Sequence, residues 1–152
     1  MTPYIDVVDA KEYFLSRVGS EAWDYADDAD RLKALNNATK IIDRLAYIGQ
    51  KADSTQDHEF PRYDPLTTYP DVPTAILDAT CEIALALLDG VDPQLEFDNL
   101  SQSASNYANI KSNFDRTVLP EHIQAGVPSV IGYQLLKPYL SDINSTVLRR
   151  VS

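Results

Sequence analysis

The sequence predicts a mainly α-helical fold: a small bundle around one central apolar helix at about residues 74–89, with a projecting β-hairpin or loop and an extended C-terminal tail. Three observations predict it. Apolar residues recur at helical spacing in the first fifty residues. The window from Thr74 to Asp89 is apolar nearly all round, as a central helix is. Between Leu95 and Arg116 the chain turns rich in Ser and Asn, with only thinly spaced aromatics.

The elements follow in order. Asp6 to Val18 reads as a helix, capped by Asp6, with Val7, Ala10, Phe14 and Val18 on one face. Gly19 breaks it, and Ser20 caps a short helix through Ala22 and Trp23. Asp27 to Ile48 is a second long helix. Asp27, Asp28 and Asp30 crowd its N-terminus, where the macrodipole favours negative charge, and Leu32, Leu35, Ile42 and Leu45 form its apolar face. Gly49 is its stop. Gly49 to Pro73 is a long connector, because Pro61, Pro65, Pro70 and Pro73 exclude regular helix. A structureless connector of that length is usually functional or mobile.

Thr74 to Asp89 then forms the central helix, with a narrow polar stripe of Thr74, Asp78 and Glu82; Gly90 ends it. Leu95 to Arg116 is a projecting hairpin turning near Ser105 to Ala108, or a loop. Pro120 to Ala125 makes a helical turn. Pro128 to Leu140 is the last helix, ended or kinked by Pro138. The organisation is one helical domain over residues 1–140, with the hairpin or loop at about 95–116, and a tail over 141–152.

The totals exclude several functions. A chain of 152 residues is long enough for one real core. Its net charge of −10 repels polyanions, which argues against unspecific binding to nucleic acid or anionic membranes. One cysteine allows no internal disulfide. No signal peptide is expected from Met1 to Val8, and the apolar run at Ile83 to Leu88 is too short to span a bilayer.

No constellation for catalysis stands out. His58 and His122 lack partners at zinc spacing and read as loop residues at the surface. Cys81 lies in the apolar helix and reads as inert core. Asp78 and Glu82 share a helix face as a carboxylate pair would, but a solvated or interfacial stripe is the simpler reading. The Asp27, Asp28 and Asp30 cluster lacks the glycine and terminal glutamate of a calcium loop, so capping explains it better. Phosphate-loop and dinucleotide motifs are absent. No catalytic residue, metal or cofactor is assigned.

The order of segments carries a resemblance. "YIDVVDAKEYFLSRVGSEAW" leads to "ALNNATKIIDRLAYIGQKA", then "FPR", "VPTAILDATCEIALALLDG", a Ser/Asn/Tyr-rich segment and "VPSVIGYQLLKPYL". From about Tyr4 to Leu140 this resembles the head-to-tail connector (adaptor) proteins of tailed bacteriophages, many of which carry a DnaT-like single-stranded-DNA-binding label. The resemblance implies a structural virion protein made in the bacterial cytoplasm and placed in the neck. There it forms a homo-oligomeric ring, typically of twelve copies, under the portal protein. The ring meets a tail or nozzle protein and extends a channel through which double-stranded DNA passes without specific binding. No membrane is involved. The resemblance places portal contact on Leu148, Arg149, Arg150 and Val151, and a channel-facing or tail-facing loop on Asn106, Tyr107, Ala108 and Asn109. Phe60, Pro61 and Arg62 form an anchor, either on the subunit's own core or on a ring neighbour. The competing reading is a single-strand-binding replication accessory, whose affinity would fall steeply with salt.

Overall fold

A computed structural model describes residues 2–64, 71–95, 97–99 and 120–141. Among them the chain is mainly helical. Helix α1 spans Val7–Leu15, α2 Glu21–Tyr25, α3 Asp28–Asp43, α4 Thr74–Leu88, α5 Glu121–Gln124 and α6 Val130–Leu136, followed by a 3-10 turn at Lys137–Tyr139.

The caps form as their chemistry dictates. Asp6 accepts from the Asp9 amide and Asp27 from the Asp30 amide, both at 2.8 Å. Each satisfies a donor that the first helical turn leaves unpaired. Asp27→Ala is expected to cost about 1 kcal/mol, read as a lower urea midpoint at unchanged slope. Ser20 sits at the N-cap of α2 but does not cap it; its hydroxyl turns to Asp24 instead. Helix α6 is capped by Ser129, so Pro128 lies before the helix, and Pro138 falls in the 3-10 turn that ends it.

Helix α4 is the centre. Ile76, Ala79, Thr80, Cys81, Glu82, Ile83, Ala84 and Leu85 are all buried. It packs chiefly against α3 and α6. The approach to α6 is close: a Cβ on Gly132 would come within 2.8 Å of the Ile83 side chain. Buried Thr80 returns its hydroxyl to the Ile76 carbonyl at 2.7 Å, and Thr39 does the same to Leu35 at 2.9 Å. Neither hydroxyl is left unpaired inside the core.

Three boundaries differ from the sequence expectation. Helix α1 ends at Leu15, so Val18 lies in the turn and is exposed. Helix α3 ends at Asp43 rather than Ile48, because Tyr47 turns back to donate to the Ile42 carbonyl at 2.7 Å. The connector is not structureless. Strand β1 (Gln50–Lys51) pairs antiparallel with β2 (Arg62–Tyr63) in the register Gln50↔Tyr63 and Lys51↔Arg62.

Gly49 enters that hairpin at φ +81°, and a Cβ there would lie 2.0 Å from the Tyr63 carbonyl oxygen. Its role is close approach of two backbones rather than a helix stop. Gly49→Ala combines that clash with a left-handed conformation, and should cost more than about 2 kcal/mol; thermal unfolding would measure it. The C-terminal 3-10 turn closes on the same region. Tyr47 bridges Leu140, Ile48 donates to Tyr139, and Ser141 donates to Ala46.

The hairpin or loop expected at about 95–116 lies mostly outside the described residues. Its described beginning, Leu95 and residues 97–99, is helical. The tail over 141–152 is described only at Ser141.

Candidate functional site

Phe60, Pro61 and Arg62 sit where the connector crosses the C-terminal 3-10 turn. A cis peptide bond joins Phe60 to Pro61. Phe60 is 3% exposed, and its ring meets Tyr47, Tyr139 and Tyr4 edge-on, with centroids 4.7, 5.8 and 6.3 Å away. Edge-to-face geometry sets the positive ring edge against the negative face. Arg62 is buried too. Its guanidinium donates to the carbonyls of Ile48, Gly49 and Glu59 and to the Glu59 carboxylate, and it lies 5.8 Å from the Tyr47 ring centroid. Its fork is thus used on the chain's own backbone and one local carboxylate.

Behind Phe60 stands a polar knot on Asp43. One carboxylate oxygen accepts from the Tyr4 hydroxyl and from the Glu59 amide at 3.1 Å. The other faces His58 Nδ1 at 2.7 Å, while His58 Nε2 faces the Thr2 carbonyl at 2.8 Å. His58 is therefore not a free surface histidine. Both ring nitrogens already have oxygen partners, so none is left to take a proton from a substrate. Burial, together with the Asp43 carboxylate, pushes the Tyr4 hydroxyl far above its usual range and keeps it a donor. The knot ties residues 2–4, α3 and the connector together.

A second polar cluster joins α1 to α4. Glu82 is 4% exposed. It accepts from Arg17 Nε at 2.8 Å, from a second Arg17 nitrogen at 2.9 Å and from the Tyr13 hydroxyl at 2.6 Å. This overturns the solvated reading of the Asp78 and Glu82 stripe: Glu82 is an interior ion-pair member. Burial raises its pKa, but the Arg17 guanidinium and the Tyr13 hydroxyl outweigh burial, and the carboxyl stays below its usual range. Asp78 is raised by burial and by the Glu82 charge. Cys81 is fully buried, and burial beside these carboxylates pushes its thiol up to about 12. A thiol so raised is a poor nucleophile.

Charge on the described surface is arranged unevenly. Lys11, Arg17, Arg31, Lys33, Lys51, Arg62 and Lys137 are each held in an ion pair. Among the described residues only Lys40 and Arg44, one turn apart at the end of α3, are cations outside any ion pair. Arg44 lines a groove of about 570 Å³ together with Ile41, Leu87, Phe97 and Ile123. Sequence reading missed this pair. The signal was present: Arg44 has no carboxylate three or four positions away, and the acid near Lys40 is Asp43, which is turned inward.

Among the described residues no group of three or more His, Cys, Asp or Glu could hold a metal ion, and no helix is long and apolar enough to cross a membrane. Leu148, Arg149, Arg150 and Val151 lie outside the described residues, as do Asn106, Tyr107, Ala108 and Asn109. Of the sequence-derived site residues, the structure therefore brings together only Phe60, Pro61 and Arg62.

A family model described as "Putative DnaT-like ssDNA binding protein" matches residues 2–146. The chain belongs to this family. The match spans α1 through α6 and the 3-10 turn, so the DnaT-like unit includes both polar clusters and the groove. No curated protein and no solved structure matches the chain.

Proposed function

We propose that this DnaT-like chain is a structural assembly protein: a head-to-tail connector that rings the portal of a tailed phage, extends its DNA channel and joins the capsid vertex to the tail. The observation that carries this reading is electrostatic. The net charge is −10, and most described cations are neutralised by carboxylates of the same chain. Such a surface repels phosphates and suits a wall along which DNA slides without sticking. The two polar clusters support the reading, since their donors are satisfied internally and leave no reactive group exposed. Its partners are then the portal protein, neighbouring copies, a tail component and DNA in transit, and its place is the virion neck. The test is to mix purified protein with portal rings of the same virus and image the product. An added ring on one face of the portal is the expected result; bare portals with unbound protein would overturn it.

A second reading takes the family description literally, as single-stranded DNA binding. Arg44, which shares the groove lining with Phe97 and is outside any ion pair among the described residues, favours it, because a cation near an aromatic side chain is part of the usual single-strand platform. It requires affinity for a labelled oligonucleotide that falls steeply with salt. Fluorescence anisotropy at low ionic strength measures this, and no binding there removes the reading.

A further inference from the structure

A groove of about 370 Å³ opens where the C-terminal end of α4 meets the first residues of α2 and α6. The Arg17–Glu82 pair lines it, and Arg17 is the only cation among the described lining residues. That cation is already committed. Two of its nitrogens donate to Glu82, and the third donates to the carbonyls of Val18 and Gly19. Two more carboxylates in the lining, Glu21 and Asp89, are exposed and outside any ion pair among the described residues. Helix α4 also ends here with no basic residue in its last turn, so the partial negative charge of its carbonyl end has no cation of its own. Apolar side chains line the same groove: Val91, Val130 and Ile131, the last two 50% and 48% exposed. Exposed apolar surface beside uncompensated negative charge fits a segment that is apolar and basic.

We propose that the occupant is the chain's own C-terminal segment, Val147 to Val151, docked on the groove of the same copy. Its sequence is V-L-R-R-V, two arginines between apolar residues. Arg149 and Arg150 match Glu21 and Asp89 in number and in sign, and Val147, Leu148 and Val151 match the apolar lining. Charge complementarity of this kind fixes register and disfavours wrong partners. The lengths allow it. Ser141, the last described residue, donates to the Ala46 carbonyl beyond the C-terminal end of α6. From there back to the start of α6, the helix and the 3-10 turn span about 16 Å. Residues 142–147 reach about 20 Å when extended. Running back along α6, they bring Val147 to the groove.

Tethering decides how strong the contact must be. A short covalent link sets an effective concentration in roughly the millimolar range. A contact too weak to hold a free peptide therefore still holds the tail. Exposed charges are screened beyond about 8 Å at physiological salt, so raising salt loosens it. The contact stands on the groove and the tail alone. Its consequence rests on the connector reading: the residues that would meet the portal are withheld by their own chain until a portal displaces them.

The test is paramagnetic relaxation in the full chain at low salt, with a nitroxide attached at Ser152→Cys. Cys81 is buried and does not compete for the label. The expected result is broadening of the amide signals of Val91, Val130 and Ile131. Reversing the tail charges, Arg149→Glu with Arg150→Glu, is expected to remove the broadening. Reversing the groove charges, Glu21→Lys with Asp89→Lys, should do the same. Both groove positions are exposed, so that variant should keep wild-type circular dichroism. The two reversals combined should restore the broadening. No broadening in wild type, or broadening that neither reversal changes, overturns the contact. So does broadening that vanishes when the labelled chain is diluted into unlabelled protein, which would place the tail on another copy. Portal rings separate this contact from the connector reading. If both hold, the groove reversal frees the tail and speeds addition to portals; an unchanged rate would overturn the withholding. Broadening as expected with no addition to portals would overturn the connector and leave the contact standing. Ring addition with no broadening would do the reverse.

Discussion

Replacing Phe60 by alanine is expected to lower unfolding free energy by about 3–5 kcal/mol, the usual range for a buried Phe truncated to a methyl. For a chain of this size that is a fall of roughly 6–20 °C in melting temperature. The reason is where the ring sits. It is the shared edge of an aromatic cluster whose other members come from residue 4, from the end of α3 and from the C-terminal 3-10 turn. Removing it leaves a cavity walled by three tyrosines, two of them pinned by their hydroxyls. Tyr4 is held on Asp43 and Tyr47 on the Ile42 carbonyl, so the walls cannot collapse inward without breaking hydrogen bonds. On the connector reading proposed above, the folded fraction of the variant should still add to portal rings as wild type would. A variant that melts normally and fails to add to rings would instead place Phe60 in a subunit contact.

Phe60 also shows what a sequence can and cannot reveal. An apolar residue between a polar stretch and a proline was visible as an anomaly, and the helices around it were legible from spacing and caps. Asp6 and Asp27 cap as their positions promise, and α4 is the centre as its composition promises. The anchor's partners were not legible. Tyr4, Tyr47 and Tyr139 lie far apart in the chain, and nothing local to any of them requires the others. The short hairpin was hidden for a related reason. Its strands are two residues each, too short for alternation to register, and they are set by Gly49 and by Arg62 reaching back to the carbonyls of Ile48 and Gly49. Glu82 misled in the opposite direction. A charged residue on a helix reads as solvent-facing, and only the tertiary approach of Arg17, sixty-five positions earlier, makes its burial tolerable.

That approach makes Arg17→Met the second large effect, and the one with a pH signature. In wild type the folded Glu82 carboxyl titrates below its ordinary value of 4.5. Its contribution to stability is therefore fully present above 4.5 and is lost as pH falls through the folded value. Methionine keeps much of the side-chain volume but removes the cation. Burial, the largest single influence on Glu82, is then opposed only by the Tyr13 hydroxyl, so the folded pKa moves above the unfolded one. The sign of the linkage reverses. A raised folded pKa gives a contribution present below 4.5 and lost as pH rises through the folded value. At neutral pH the variant holds an uncompensated buried charge, and the expected loss is about 3–5 kcal/mol, trimmed by the partial exposure of Arg17. As pH falls toward 4.5 the loss should shrink while wild type holds level, so the two stability profiles converge. Urea unfolding at a series of pH values measures both. A loss that is equal at every pH would mean that Arg17 acts by packing alone. Adding Glu82→Gln to Arg17→Met should recover most of the neutral-pH loss, because the amide leaves no charge to strand and can still pair with the Tyr13 hydroxyl.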